Sequence, residues 1–443
     1  MQIFQAKASQ AVEELYNRIT GDEDARVCKD IPEEACQDQP RNFFAYLWAN
    51  LFGKIADEIA SAKLVIPWLF GSLGVPASFT GFLVPIREAG VLLPQLAVAA
   101  LIRNMPLRKP VWLLGSVLSA LSLFGMGMTA LTLDGSTAGS VFIIMLIIFS
   151  LSRGLCSVSA KDVLGKTVSK SRRGALMGWS ASLSGLAILG IGIWLGTTQL
   201  DNASNLVFAV LLFIGGLLWI LATLVFSMIK EQPGATEGGG NALTVALQQI
   251  ALLKTDKHFR QFVFSRALLL STALAPPFYV LIAQASSGVS LAGLGALIIA
   301  NGLANSLSAP FWGYLGDRSS RQVMVIATIG SGLLGLFTFA AVLLENKWIT
   351  GEIGFALIFL VLNILHSGAR LGRKVYLVDM ASGDNRAAYV AVSNTVIGVL
   401  MLAGGLVGVI GDLYGPASVI LVLSIVSLMA ALFIRKLPDV SKA

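Results

Sequence analysis

Long apolar runs separated by short polar segments fill residues 43–434. An apolar run of about 18 or more residues reads as a helix that crosses a bilayer. The pattern predicts twelve such spans, near 43–70, 78–102, 111–132, 139–160, 175–197, 206–229, 262–284, 290–312, 323–344, 353–372, 388–410 and 415–434. The first is the least uniform, because Lys54, Asp57, Glu58 and Lys63 interrupt it. Residues 1–42 read as a polar tail with a short helix near 5–19, and the basic-then-apolar order of a signal peptide is not expected there. Between the sixth and seventh runs, 230–240 (KEQPGATEGGG) has the composition of a flexible linker. The following ALTVALQQIALL, 242–253, has the spacing of an amphipathic helix lying on the membrane surface. The expected organisation is a tail (1–42), a six-helix half (43–229), a linker (230–261), a second six-helix half (262–434) and a short tail (435–443).

Composition agrees: 55% of residues are hydrophobic and 13% charged. A soluble fold averages about 25% charged residues, so water is excluded as the solvent. The net charge of +7 is not a nucleic-acid signal, since the bases sit in short loops. One set of loops carries Arg103, Arg108 and Lys109, then Lys166, Lys170, Arg172 and Arg173, and later Arg318, Arg321, Arg373, Lys374 and Arg386. The opposite loops carry Asp134, Asp201, Glu345, Glu352 and Asp412, with Lys347 the lone base. By the positive-inside rule the basic side is cytoplasmic, which predicts an inner-membrane protein with both termini inside. Cys28, Cys36 and Cys156, with His258 and His366, have no zinc-site spacing, and Cys28 and Cys36 are expected as free thiols.

The halves correspond at a shift of 213 residues, which lays Asn104 on Asp317, Arg108 on Arg321, Arg153 on His366, Lys161 on Lys374 and Arg173 on Arg386. An even number of spans per half makes this a parallel pseudo-two-fold repeat about the membrane normal, a transporter architecture.

Polar residues inside the runs are the candidate chemistry. In span one, Asn50, Lys54, Asp57, Glu58 and Ser61 share a stripe about 100° wide; in span two, Thr80, Arg87, Glu88 and Gln95 do the same. A charge at a helix centre costs roughly 2.5–3.5 kcal/mol on insertion scales, so these residues face the protein interior. Two readings stand. The charges pair internally, Lys54 with Asp57 or Glu58 and Arg87 with Asp57 or Glu58, or they line a substrate and proton cavity. Arg153, Arg266 and His366 join that cavity from other spans, and Asp57, Glu58 and Glu88 are the proton-carrying candidates. Several guanidinium groups around one cavity suit an anionic solute. Lys63 falls off the stripe and reads as snorkelling to the outer interface.

The loop after span eight, Gly313-Tyr-Leu-Gly-Asp317-Arg318-Ser-Ser-Arg321, resembles the loop motif of the major facilitator superfamily, with a degraded first-half copy that has Ala100 and Asn104. Arg153 resembles that superfamily's membrane arginine. The resemblance implies an all-helical membrane fold of two six-helix halves with alternating access. On the residues' own chemistry, Asp317 sits where Arg318 and Arg321 can pair with it, and contacts that exist in one gate state bias the switch. The Gly-Pro element of the superfamily's drug antiporters is missing from span five, which lowers the efflux reading. Gly165-Lys166-Thr167 lacks the upstream glycine of a phosphate loop. The expected function is a proton-coupled secondary transporter of a small, anionic organic solute, acting as a monomer in the bilayer, with no cofactor, metal or nucleic acid and no catalytic residues. The alternatives are an efflux pump for amphiphiles and a non-transporting assembly factor or sensor.

Overall fold

The computed structural model describes residues 33–93, 105–197, 205–234, 251–287, 290–381 and 386–440, with isolated positions between them, and all regular structure there is helical. The principal helices are α1 (Gln39–Ile59), α2 (Val65–Ser72), α3 (Ala77–Leu92), α4 (Lys109–Thr132), α5 (Gly135–Thr167), α6 (Lys170–Thr197) and α7 (Asn205–Ser227). The chain continues with α8 (Lys257–Leu268), α9 (Leu270–Leu274), α10 (Pro276–Ser287), α11 (Leu291–Arg318), α12 (Ser320–Leu343), α13 (Glu352–Met380), α14 (Arg386–Gly404), α15 (Gly408–Tyr414) and α16 (Pro416–Arg435).

Among the described residues, ten helical stretches are long and apolar enough to cross a membrane. Described helix lies at each of the other expected positions as well, with the second span described without a gap only as far as Leu93. Span one is not the continuous helix expected over 43–70. It stops at Ile59 and resumes at Val65. Pro67 explains the gap: its ring crowds the carbonyl four residues back, that of Lys63, and it has no N–H to bond there. The seventh span breaks in the same way around Leu269 and Ala275, ahead of Pro276 and Pro277.

The surface is inside-out relative to a soluble protein. Leu186, Leu221, Leu224 and Leu343 are exposed, while Ser119, Ser150, Ser180 and Thr328 are buried. Two of these hydroxyls return a hydrogen bond to their own helix, Ser119 to the Gly115 carbonyl at 2.8 Å and Thr328 to that of Met324. Polar side chains inside and aliphatic ones outside fit hydrocarbon as the solvent.

Helices α1 and α3–α7 pack on one another, as do α11–α13 with α16. The two groups meet along α6 against α11 and along α3 against α14 and α15. At the end that carries the acidic loops these seams are backbone-close. A Cβ on Gly81 would stand 2.3 Å from the Gly405 carbonyl, and one on Gly295 would stand 2.4 Å from the Gly196 nitrogen. Only glycine permits such an approach.

At the basic-loop end, a carboxylate that follows each group's last helix meets the start of another helix. Glu231, beyond α7, accepts from the backbone N–H groups of Arg108 and Lys109 at 2.9 and 2.7 Å, at the start of α4. Asp439, beyond α16, accepts from the Ser319 hydroxyl at 3.0 Å, at the start of α12. The surface helix expected over 242–253 lies almost wholly outside the described residues; a single turn, Leu252–Thr255, is seen. The amino-terminal stretch is not simply a solvated tail. Tyr16 is buried edge-on against Phe43 and accepts from Gln39 Nε2 at 2.6 Å. Cys36 is disulfide-bonded, so the expectation of a free thiol does not hold there.

Candidate functional site

The polar residues predicted for the interior resolve into two ion clusters. In the first, Asp57 of α1 accepts from Arg153 of α5 through Nε at 3.1 Å and Nη2 at 2.9 Å, and Arg87 of α3 lies 3.4 Å from the same oxygen. Its other oxygen, Oδ1, is buried without a protein partner. Both guanidiniums also rest on rings, Arg153 over Trp219 at 4.4 Å and Arg87 over Phe149 at 5.2 Å. A single carboxylate shared by two guanidiniums, each backed by an aromatic face, binds three helices together.

The second cluster crosses between the helix groups. Lys63, in the break between α1 and α2, lies 3.7 Å from Glu88 of α3 and 3.4 Å from His366 Nε2 of α13. His366 Nδ1 is 3.2 Å from the Thr272 carbonyl. A carbonyl can only accept, so Nδ1 carries the proton and Nε2 offers its lone pair to the Lys63 ammonium. Lys63 therefore does not snorkel to the outer interface. The helical angle that placed it there has no meaning across a broken helix. The Pro67 signal, four residues downstream of a lysine inside an apolar run, was present in the sequence and pointed to this break.

Other predicted members fall elsewhere. Lys54 forms no ion pair with Asp57 or Glu58 among the described residues; Asp57 turns instead to the two arginines. Glu58 lines a narrow apolar void with Ile59, Leu64, Val65 and Ile298, of about 20 Å³, room for about one water. Asn50 donates to the Met177 sulfur at 3.6 Å and lines, with Tyr46, Arg153 and Lys161, a cavity of about 230 Å³. Arg266 of α8 holds no carboxylate. It donates to the Ser393 hydroxyl at 2.6 Å and Asn394 Oδ1 at 2.9 Å on α14, and its Nε is buried and unpartnered. Gln95 lies outside the described residues.

At the loop motif, Asp317 is exposed and pairs with neither Arg318 nor Arg321 among the described residues. Arg318 bonds the Tyr314 hydroxyl and lies 4.5 Å over its ring, while Arg321 turns to the Leu437 carbonyl at 2.9 Å and to Asp439 at 3.4 Å. Gly313 faces open space. Arg108, the first-half counterpart of Arg321, is held by Asp162 at 2.8 Å, and Lys166 is 2.7 Å from the same carboxylate.

Sequence reasoning also missed a row of cations. Helix α13 runs to Met380, well past the expected end of span ten at 372, so Arg373 and Lys374 continue the helix that holds Arg370 and are not loop bases. With Asn363 and His366 they follow a three-and-four spacing that sets all five on one face. Arg373 lies within electrostatic reach of Glu88 and Arg370, and Glu88 within reach of both arginines.

The comparisons with known proteins agree with this architecture. Residues 265–443 match the model of the Major Facilitator Superfamily. No curated protein matches the chain by sequence. Among solved structures, a mutant form of the nucleoside transporter NupG superposes with a TM-score of 0.71 at 14% identity, covering 89% of this chain and 99% of that one. A D-xylose-proton symporter gives 0.67 at 15% identity, covering 90% of this chain and 99% of the other. The xylose transporter XylE from E. coli, in an inward open conformation, gives 0.59 at 14% identity, covering 90% and 97%. These neighbours are transporters and not enzymes. The family model thus covers residues 265–443, and over most of its length the chain shares the fold of these transporters.

Proposed function

We propose that the chain is a proton-coupled secondary transporter that moves a small, anionic organic solute by alternating access between two six-helix halves of a twelve-span bundle. The observation that carries this reading is the Lys63, Glu88 and His366 cluster, which ties the broken first span to α3 and to α13. It joins the two helix groups through titratable atoms. A proton on Glu88 weakens its hold on Lys63, and a proton on His366 Nε2 removes the lone pair that Lys63 uses and sets two cations face to face. The second event loosens the link across the seam directly, and the first releases the lysine that makes that link, which is what coupling a proton to a rocking motion requires. The paired carboxylates at Glu231 and Asp439 support the repeat, since each follows the last helix of its half and meets the start of that half's third span. Discontinuous spans one and seven support it as well.

The guanidiniums around the interior support an anionic solute. The apolar void beside Glu58 has room for about one water, which does not favour the efflux of amphiphiles. The test is uptake of labelled organic anions into proteoliposomes under an imposed pH gradient. Wild-type protein accumulates the anion with the gradient, and Glu88→Gln exchanges it without accumulation. Equal uptake by wild-type protein with and without the gradient would defeat proton coupling, and no movement of any solute class would defeat the transporter reading itself.

A further inference from the structure

Every carboxylate of the interior clusters that forms an ion pair is already engaged. Asp57 serves Arg87 and Arg153, and Glu88 serves Lys63. Across from them, Arg370, Arg373 and Lys374 have no ion-pair or side-chain hydrogen-bond partner among the described residues. They occupy one face of α13 beside His366, whose Nδ1 is committed to Thr272 and whose Nε2 is committed to Lys63. Arg266, on α8, is within electrostatic reach of Arg373; it has only neutral partners, and a buried nitrogen that bonds nothing.

Arg370 and Lys374 are exposed, but Arg373 between them is half-buried and close enough to sense Glu88 on α3 across the seam. Cations gathered on one helix face without an ion-pair partner repel one another, and burying even one of them unpaired is costly. Such a set is stable when something else brings the negative charge. Two forked donors one turn apart, with an ammonium at the next position, are built to hold oxygens that share more than one negative charge.

We propose that Arg370, Arg373 and Lys374 of α13, with Arg266 behind them, form the recognition site for a small organic dianion, a phosphomonoester or a dicarboxylate. This rests on the transporter reading and narrows its substrate from anions in general to those with two charges. The ligand's charge substitutes for the missing carboxylates on the α13 side, while Glu88 on α3 repels an anion that enters too far. A solute with one charge satisfies one fork and leaves the second unpaired, and a neutral sugar or nucleoside satisfies neither.

The experiment is thermal unfolding of the purified full-length protein with glycerol phosphate, succinate, acetate, glucose and uridine as probes, on wild type, Arg373→Gln, Arg370→Gln and Arg373→Lys. The expected result is a concentration-dependent rise in Tm with glycerol phosphate or succinate and little with acetate, glucose or uridine. Arg373→Gln and Arg370→Gln should each weaken the dianion's apparent affinity by about ten- to a hundredfold, and Arg373→Lys by less, because the charge remains and the fork is lost. If the glutamine variants do not fold, the lysine variant carries the comparison. Stabilisation by acetate equal to that by the dianions, or dianion stabilisation unchanged in the variants, overturns the proposal. Stabilisation by glucose or uridine alone overturns it too but leaves transport standing. Counterflow of any of these solutes in proteoliposomes separates that outcome from failure of the transporter reading.

Discussion

Asp412, near the end of α15, places both carboxylate oxygens 3.2 Å from the backbone N–H of Ser78, in the first turn of α3. The two residues stand 334 positions apart. The first N–H groups of a helix have no partner within it, and the helix dipole favours a negative charge there. Asp412 supplies both across the seam between the helix groups. Directly beneath it, Gly81 lies against Gly405 and Gly408, and on the other side of the bundle Gly295 lies against Gly192 and Gly196. The acidic-loop end is thus shut by backbone contact, with one charge clasp at its rim.

Asp412→Ala should loosen that end. A cysteine introduced by Phe82→Cys, which sits under the clasp against Gly405, should react faster with a membrane-impermeant maleimide in the Asp412→Ala background. Asp412→Asn keeps an acceptor and should fall between. Gly81→Val should have a larger effect, because its side chain has no room while this end is shut. Equal labelling rates in all four proteins would mean that the clasp does not govern closure.

Asp57→Asn should be the most damaging change in the first ion cluster. It leaves Arg87 and Arg153 facing each other with no carboxylate between them, and breaking a buried pair costs about 3–5 kcal/mol. The same pair lost from the other side, by Arg87→Gln, leaves Asp57 still held by Arg153 through two hydrogen bonds and should cost less. The Tm of the two variants, measured in one detergent, checks the order. A larger drop for Arg87→Gln would show that Asp57 is not the centre of the cluster.

The two terminal carboxylates should differ in weight although they occupy matching places. The Glu231 side chain is 1% exposed and takes Lys166 at 3.1 Å in addition to two backbone donors. Asp439 is 15% exposed and its ion pair with Arg321 is longer, at 3.4 Å. Glu231→Ala should therefore cost about 3 kcal/mol and Asp439→Ala about 1 kcal/mol. Unfolding monitored in graded denaturant in detergent would read both; equal losses would mean that burial does not set the difference.

Much of this fold was legible because apolar runs are long and the loop bases fall on one side. What escaped the sequence has identifiable causes. Lys63 was misplaced because helical angles were counted through a break that Pro67 imposes. Arg373 and Lys374 were read as loop bases because hydropathy falls where charge begins, and α13 continues as a helix beyond that point. The pairing of Asp57 with Arg153 in place of Lys54 depends on how α1 is rotated against α5, which spacing along one helix does not contain. Asp412 and Ser78 meet only because two distant spans cross, and no local pattern marks either residue. Asp317 shows the reverse case. Its motif is plain in the sequence, yet its expected partners bond elsewhere in this conformation.

Asp256 provides a prediction about pH at the start of α8. Its carboxylate caps that helix by accepting from the Phe259 N–H at 2.9 Å, and it also accepts from the Tyr389 hydroxyl of α14. Burial works to raise the carboxyl's pKa, but the hydrogen bonds from Tyr389 and from the backbone of Phe259 and His258 outweigh it and hold the group below its ordinary value of 3.8. A carboxyl with a depressed folded-state pKa adds stability at pH values above the unfolded pKa. That stability is lost as pH falls through the ordinary value toward the folded one. Asp256→Ala should cost about 1 kcal/mol at neutral pH, the usual loss of a helix cap. Asp256→Asn should lose less, because an amide oxygen still caps. The gap in stability between wild type and Asp256→Asn should stay level from pH 7 to about 5 and close below about pH 4, where the wild-type carboxyl takes up its proton. A gap that widens on acidification would mean that the carboxyl is protonated more readily in the folded protein than in the unfolded chain. The Tyr389 hydroxyl would then be accepting from it and not donating to it.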